Sequence, residues 1–513
     1  MILTFNDWND KKLYRRKERM EFGADYFRMI RHHGSFSEFL NETSKGKDSV
    51  YQTSTIPQYA TGFIYLDYST GAYITVSDND VPIYQYHNIG IPAGSVIVNI
   101  AKAQGGKSTS AVQMGAGAIE LYINRMIYEA SMRDLVITKE LKQLPPVIGI
   151  PFIQVCDTEK TYSMDYAAKI THYKNSMCKK HLVITPITTD KDLMRVIEKH
   201  VQYKLQTMGN VMFPMLDMFG EPISTLPPTF LVIDSTTQLL LEDCDDPETI
   251  QRARDGTLKV DKNIITNIYD SAVQNTAGAR RAKIISALYS QLVNIAKKYN
   301  IIIFSISHIN KSLPINGIPT KQYRGLRAGE TISGGERAIF LAANILRFDV
   351  IKAVGWRKST ELNLGEGVTG FVSLASWIKS KSNSKNGATQ MVYTNAGGYD
   401  RLLSTIYTDI SNGELEKKGN FYTVPGHDQR FTLKTANEVF GDNPELFSAY
   451  YDDVRDRAAK LLDNPERAYE RNARMLTKLR EDNHNEYSDG DRETRSNMMD
   501  IDDILKMGLV NAS

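Results

Sequence analysis

The stretch Ala101-Lys-Ala-Gln104-Gly105-Gly106-Lys107-Ser108-Thr109 follows an apolar run, Val96-Ile-Val-Asn-Ile100. Its spacing, [Ala/Gly]-x-x-x-x-Gly-Lys-[Ser/Thr], is that of a loop that holds phosphate. Small residues let backbone N–H groups close around phosphate oxygens, Lys107 neutralises charge at the β and γ positions, and the Ser108 hydroxyl can reach Mg²⁺. The first position is Ala101 rather than Gly, so the opening turn has to be made without positive φ there.

Three more apolar runs end in residues with chemistry to offer. Thr229-Phe-Leu-Val-Ile-Asp234 ends in a carboxylate, placed where open α/β sheets bind ligands and able to hold Mg²⁺ through its water shell. Phe152-Ile-Gln-Val-Cys156-Asp157-Thr-Glu159 brings a second acid suited to orienting a water for attack on a γ-phosphate. The same acids also fit an Asp157 helix cap with Glu159 in the first turn. Ile301-Ile-Ile-Phe-Ser305-Ile-Ser307-His308-Ile-Asn310 presents Ser, His and Asn, a set suited either to sensing phosphate or to plain structural hydrogen bonding. Beyond it, Lys311 to Ser333 carries Lys311, Lys321, Arg324 and Arg327 without periodicity and closes on Gly334-Gly335. Long irregular segments in compact domains are usually functional, and cations beside aliphatic residues could grip a nucleic-acid backbone and wedge between bases.

Positioning these groups calls for short strands alternating with helices, an α/β layer with a largely parallel sheet. The pattern predicts strands at Val96–Ile100, Val147–Cys156, His181–Thr185, Thr229–Asp234, Ile301–Ser307, Ala343–Asp349, Gly370–Lys379 and Gln390–Thr394. Helices are predicted at Ser108–Glu129, Asp165–Cys178, Thr189–Met208 and Gly278–Tyr299, the last from the spacing of Ile284, Ile285, Leu288, Leu292 and Ile295. Segments Ser131–Pro146, Pro214–Pro228 and Glu242–Lys262, rich in Pro, Gly or charge, read as insertions. Residues 1–60 read as a small N-terminal module with a Ser/Thr-rich linker, and 461–513 as a helical then disordered acidic tail.

The chain has 513 residues, room for more than one domain, and a net charge of +2, too small by itself to argue for nucleic-acid binding. Charge is uneven: Lys11 to Arg19 is basic, whereas Glu481 to Asp503 leans acidic. Both fit solvated surfaces. Three widely spaced cysteines, Cys156, Cys178 and Cys244, form no metal-ligand pattern and suit a reducing compartment. No run of about eighteen apolar residues and no signal peptide is recognisable, so a soluble, intracellular protein is expected.

In order, these pieces resemble the RecA recombinase family, most closely its phage branch, the UvsX-like recombinases. Gly90-Ile-Pro-Ala-Gly94 is similar to the family's approach to the phosphate loop, Cys156-Asp157-Thr-Glu159 to its strand with the catalytic glutamate, and Tyr166 to the aromatic that stacks on adenine. His308 resembles the UvsX-branch histidine at the γ-phosphate-sensing position. Gly334-Gly335-Glu-Arg-Ala338 with Ala342-Ala-Asn-Ile-Leu-Arg347 resembles the stretch after the second DNA-binding loop. Trp377-Ile-Lys379-Ser-Lys381, then Gly397-Gly398-Tyr399-Asp400, is similar to the segment whose paired lysines reach a neighbouring subunit's ATP, and Leu403 to Arg457 to the small C-terminal domain.

The resemblance implies a RecA-like P-loop ATPase core at 61–400, with a small N-terminal oligomerisation module at 1–60 and a small α+β C-terminal domain at 401–460. It implies ATP and Mg²⁺ as cofactors and a helical homo-oligomer on single-stranded DNA that pairs with homologous duplex DNA. Single-strand-binding and mediator proteins are the implied partners, and the cytoplasm, of a host cell if phage-encoded, the implied location. The implied nucleotide contacts are Ala101, Gln104, Gly105, Gly106, Lys107, Ser108, Thr109, Tyr166 and Asp234, with Ser108 and Asp234 on the metal. Glu159, Lys107, His308 and a neighbour's Lys379 and Lys381 carry catalysis. DNA contacts fall on Arg280 and Arg281, in a first loop within about Asp261 to Arg281, and on Lys311, Lys321, Arg324, Arg327, Gly334 and Gly335 in the second. Two rivals stand beside it: a ring-forming replicative helicase, expected to bring an arginine finger and a larger N-terminal domain, and a non-hydrolysing ATP-binding filament protein, which needs a broken catalytic set.

Overall fold

Every apolar run that ends in a polar residue at the candidate site joins one sheet. The computed structural model describes residues 56–462, apart from 79–80, 133–150, 174–180, 209–210, 217–221, 243–244, 246, 248–249, 252–272, 312–325, 328, 333–334, 355–363, 365–367 and 383–386. The N-terminal module up to residue 55, most of the insertions at 131–146 and 242–262, and the acidic tail lie outside the described residues.

The sheet has ten strands. In spatial order they run Gly398–Asp400, Ala388–Thr394, Gly370–Ser380, Asn344–Val354, Val96–Ala101, Ile301–Lys311, Thr229–Asp234, Ile153–Asp157 and Leu182–Pro186, with Glu330–Ile332 pairing onto the Ile301–Lys311 strand. The strands from Asn344–Val354 to Leu182–Pro186 pair in parallel, and the Gly370–Ser380, Ala388–Thr394 and Gly398–Asp400 strands extend the sheet antiparallel. This is an α/β protein with a mostly parallel central sheet flanked by helices.

The central strands are apolar along their length because both faces are covered. Successive side chains point to opposite faces. Ile97, Phe230, Val232, Ile302, Phe304 and Ile306 therefore pack with Ala111, Val112 and Met114 of the Lys107–Met132 helix. Val96, Val98, Ile100, Leu231, Ile233 and Ile303 pack with Leu193 and Ile197 of the Asp190–Thr207 helix and Leu288, Leu292 and Ala296 of the Val273–Tyr299 helix. Thr189 and Asp192 form a reciprocal capping box that fixes the start of the Asp190–Thr207 helix.

A third core holds the C-terminal segment. Helices Arg401–Asn412, Ala436–Asp442 and Pro444–Ala459 and a small three-stranded sheet bury Leu403, Ile406, Phe431, Phe440 and Tyr450 with Tyr65 and Tyr68 of the Ile64–Thr70 helix. Inside it the buried Asp409 carboxylate accepts from Tyr65, from Tyr450 at 2.6 Å and from Arg457 at 2.8 Å.

Several boundaries differ from the sequence expectation. The Ile301–Lys311 and Asn344–Val354 strands outrun the predicted Ser307 and Asp349, because antiparallel partners far along the chain continue their ladders. The Met164–Thr171 helix ends early at His172, whose φ of 57° is left-handed. A hairpin, Ala72–Asp78 with Val81–Asn88, and a second, Val211–Leu216 with Pro222–Thr225, occupy stretches assigned no strand, the second overlapping the expected Pro214–Pro228 insertion. The helix expected from Gly278 begins at Val273, so Arg280 and Arg281 lie within it and not in a loop. Among the described residues no helix is long and apolar enough to cross a membrane.

Candidate functional site

Parallel pairing aligns the strand ends. His308 lies opposite Ala101, and Asp234 opposite Asp157. The turns beyond Asp157 and Asp234 are tied together, since Thr158 N donates to Asp234 O at 2.7 Å and Ser235 N to Thr158 Oγ1 at 2.7 Å. The Asp234–Ser235 peptide bond is cis. These ends open on a cleft of about 810 Å³ lined by the Gln104–Thr109 loop, Glu159, Tyr162, Tyr166, Asp234, His308, Phe371 and Tyr393.

The loop solves the problem posed by Ala101 locally. Ala101 stays in its strand, fully buried, and positive φ appears later, at Gln104 (59°) and Gly106 (75°). The methyl group of Ala101 fills the space where a side chain at Gly105 would stand, 2.6 Å from an added Cβ. Gly106 faces the Tyr399 hydroxyl, 2.3 Å from where its Cβ would be, and that hydroxyl donates to Gly105 O at 3.2 Å. One helix turn on, Gln113 accepts from Tyr399 N at 2.8 Å and donates to Ile170 O, Gly397 O and Tyr399 O, locking the helix to the sheet's antiparallel edge.

The Lys107–Met132 helix starts inside the cleft, so its free N–H groups face the same space as Lys107. Lys107 Nζ donates to Lys102 O at 2.9 Å and lies 3.5 Å from His308 Nδ1. Burial lowers its pKa, opposed by the Asp234 and Glu159 charges. His308 Nε2 lies 3.7 Å from Glu159 Oε1, which also accepts from Ser235 Oγ and Gln238 Nε2, each at 3.3 Å. That histidine is the main reason the Glu159 carboxyl titrates below its usual range, with Ser235 and Lys107 adding to it and burial opposing. Asp234 is pushed up to about 6 by burial and the neighbouring Glu159 and Asp157, while the Ser108 hydroxyl bound to it pulls the other way.

Asp157 does not cap a helix. Its carboxylate accepts from Glu159 N at 3.1 Å and Tyr162 N at 2.9 Å, and the helix that follows is capped by Ser163. Glu159 is thus held in a loop facing His308, not in a first helical turn. Ser108 and Asp234 form a hydroxyl–carboxylate pair beside the helix start, a donor set suited to Mg²⁺, which takes one or two protein ligands and completes its shell with waters and substrate phosphates. Among the described residues no group of three or more His, Cys, Asp or Glu is placed to hold a metal ion alone.

The cleft's other wall is aromatic. Tyr166 Oη hydrogen bonds Thr109 Oγ1 at 2.7 Å, and Phe371 stacks on Tyr393 with centroids 4.4 Å apart and planes 4° from parallel. Sequence reasoning missed Phe371 and Tyr393, because only the antiparallel register of Gly370–Ser380 with Ala388–Thr394 sets them opposite one another.

The remaining expected residues fall elsewhere. Lys311 ends its strand, Gly335 opens the Gly335–Leu341 helix, and Lys321, Arg324 and Gly334 lie outside the described residues. Arg327 is exposed and pairs with Asp349 at 3.2 Å. The base of that segment is anchored by Glu330, which receives two hydrogen bonds from the buried Arg347 guanidinium, at 2.6 and 3.0 Å. Lys379 and Lys381 are not near the cleft. Lys381 N bonds Ala343 O and Ala343 N bonds Val96 O, which sets Lys381 level with the far end of the Val96–Ala101 strand, ~17 Å along the strand at about 3.3 Å per residue. Lys379 Nζ donates to Ile339 O and Phe340 O, and burial together with the Lys381 charge brings its pKa down to about 8. No protein-family model matches the chain, and no curated protein matches it.

Proposed function

We propose that the chain is a RecA/UvsX-like strand-exchange ATPase that forms helical filaments on single-stranded DNA and pairs it with homologous duplex. The observation that carries this reading is the placement of His308 between Lys107 and Glu159, at the residue where the parallel sheet ends and the hairpin to Glu330–Ile332 begins.

Bound Mg²⁺ would supply charge neutralisation at the ATP phosphates. In this scheme Lys107 and the loop N–H groups hold the phosphates, Ser108 and Asp234 hold the metal, and Tyr166 packs on the base. Glu159, kept ionised by His308, orients the attacking water. His308 transmits occupancy along its own strand to the cationic segment that starts at Lys311, whose return strand Arg347 anchors through Glu330. Lys379 and Lys381, too far from their own cleft, act on that of an adjacent copy, where two cations stabilise transition-state charge.

Negative-stain microscopy with single-stranded DNA and ATP tests the assembly: helical filaments are expected, and closed rings would favour the helicase. Lys107→Ala is expected to abolish DNA-stimulated ATP hydrolysis with an unchanged circular dichroism spectrum. Undiminished turnover would remove the site assignment.

A further inference from the structure

Tyr162 lines the cleft, and the ring lies 5.7 Å from that of Tyr166. Its backbone N–H is fixed by Asp157 at 2.9 Å, so the position of the side chain is set by the loop that also carries Glu159. The hydroxyl is buried and has no hydrogen-bond partner among the described residues. The groups facing it are Asp234, Tyr166, Asp157 and Ser108, and of these the Ser108 hydroxyl is the one placed toward it as a hydrogen-bonding group, short of a formed bond in the ligand-free chain. A buried hydroxyl left unpaired costs stability, and Phe would fill the same space without that cost.

Ser108 has one hydrogen and two lone pairs to give. Without ligand its hydrogen has two acceptors within reach, Asp234 and Tyr162, of which the carboxylate is the stronger. Once the Ser108 oxygen turns to a divalent cation and Asp234 is engaged by the cation's waters, that hydrogen needs another acceptor. We infer that Tyr162 is a positioning residue for Ser108, its hydroxyl oxygen accepting the Ser108 hydrogen in the metal-bound state. The inference rests on the nucleotide reading of the cleft and adds to it a residue that acts only when metal is present.

Tyr162→Phe tests it by calorimetric titration with MgATP and with ATP in excess EDTA. The variant is expected to bind MgATP about three- to tenfold more weakly, the worth of one hydrogen bond, and metal-free ATP as wild type does. The ligand-free melting temperature is expected to stay level or rise, because an unpaired hydroxyl has been removed. In a Ser108→Ala background the same change is expected to have no further effect. Equal loss with and without metal, no loss at all, or an undiminished effect in the Ser108→Ala background each overturns the inference while leaving the nucleotide site standing. Failure of the wild-type chain to bind ATP in either form overturns the nucleotide reading and this inference with it.

Discussion

Asp234→Asn should make the free protein more stable while removing its response to metal-bound nucleotide. The Asp234 carboxyl is buried at its strand end, and its pKa rises from 3.8 to about 6 through desolvation and the charges of Glu159 and Asp157. About two pH units at ~1.4 kcal/mol each place ~3 kcal/mol of unfavourable free energy on the ionised native state. Part of this is returned because Lys107 loses a partner in the variant, leaving a net gain of about 1–3 kcal/mol. Asn retains an oxygen to accept from Ser108, so the packing is preserved. Because the folded pKa lies above the unfolded one, the penalty vanishes below about pH 4, grows as the unfolded chain ionises first, and is complete above about pH 6 to 7. Urea unfolding of both proteins, free of nucleotide and metal, should therefore show an advantage for the variant at pH 7 that is roughly halved at pH 5. Added MgATP should raise the wild-type midpoint and leave that of the variant unchanged. A variant less stable than wild type at pH 7, or a gap that does not change between pH 5 and 7, would refute the burial argument.

Gly105→Ala should strain the loop, because its new methyl would meet that of Ala101 at 2.6 Å; a stability loss of about 1–3 kcal/mol by urea denaturation and weaker ATP binding by titration are expected, and wild-type values for both would contradict the packing described. The double variant Lys379→Ala with Lys381→Ala should bind ATP as wild type does but lose hydrolysis on single-stranded DNA. Mixing it with the Lys107→Ala protein should restore part of the rate if each site is completed by a neighbour, and normal hydrolysis by the double variant alone removes that role.

The strands that carry Asp157, Asp234 and His308 were legible because each is an apolar run broken abruptly by polar residues, a signal local to a few residues. The phosphate loop was legible for the same reason, although its spelling does not say that the left-handed turns fall at Gln104 and Gly106 while Ala101 stays extended in its strand. What stayed hidden depends on register between distant segments. Nothing near Phe371 in the sequence points to Tyr393, and nothing near Ser307 says that Ile309–Lys311 continue as a strand by pairing with Glu330–Ile332. The acids after Cys156 supported two local readings, and the choice between them came from Asp157 turning back onto the amides of Glu159 and Tyr162. The helix start at Val273 was set too late, at Gly278, because Asp270, Ser271, Asn275 and Thr276 all stand ahead as competing cap residues and Gly278 reads as a break.

The most direct test of the central claim measures ATP hydrolysis and strand invasion in one reaction, with single-stranded DNA and a homologous duplex. Hydrolysis that depends on the single strand, joint molecules that depend on homology, and loss of both in Lys107→Ala are the results predicted. Hydrolysis indifferent to DNA, or duplex unwinding without homology-dependent joint molecules, would contradict it.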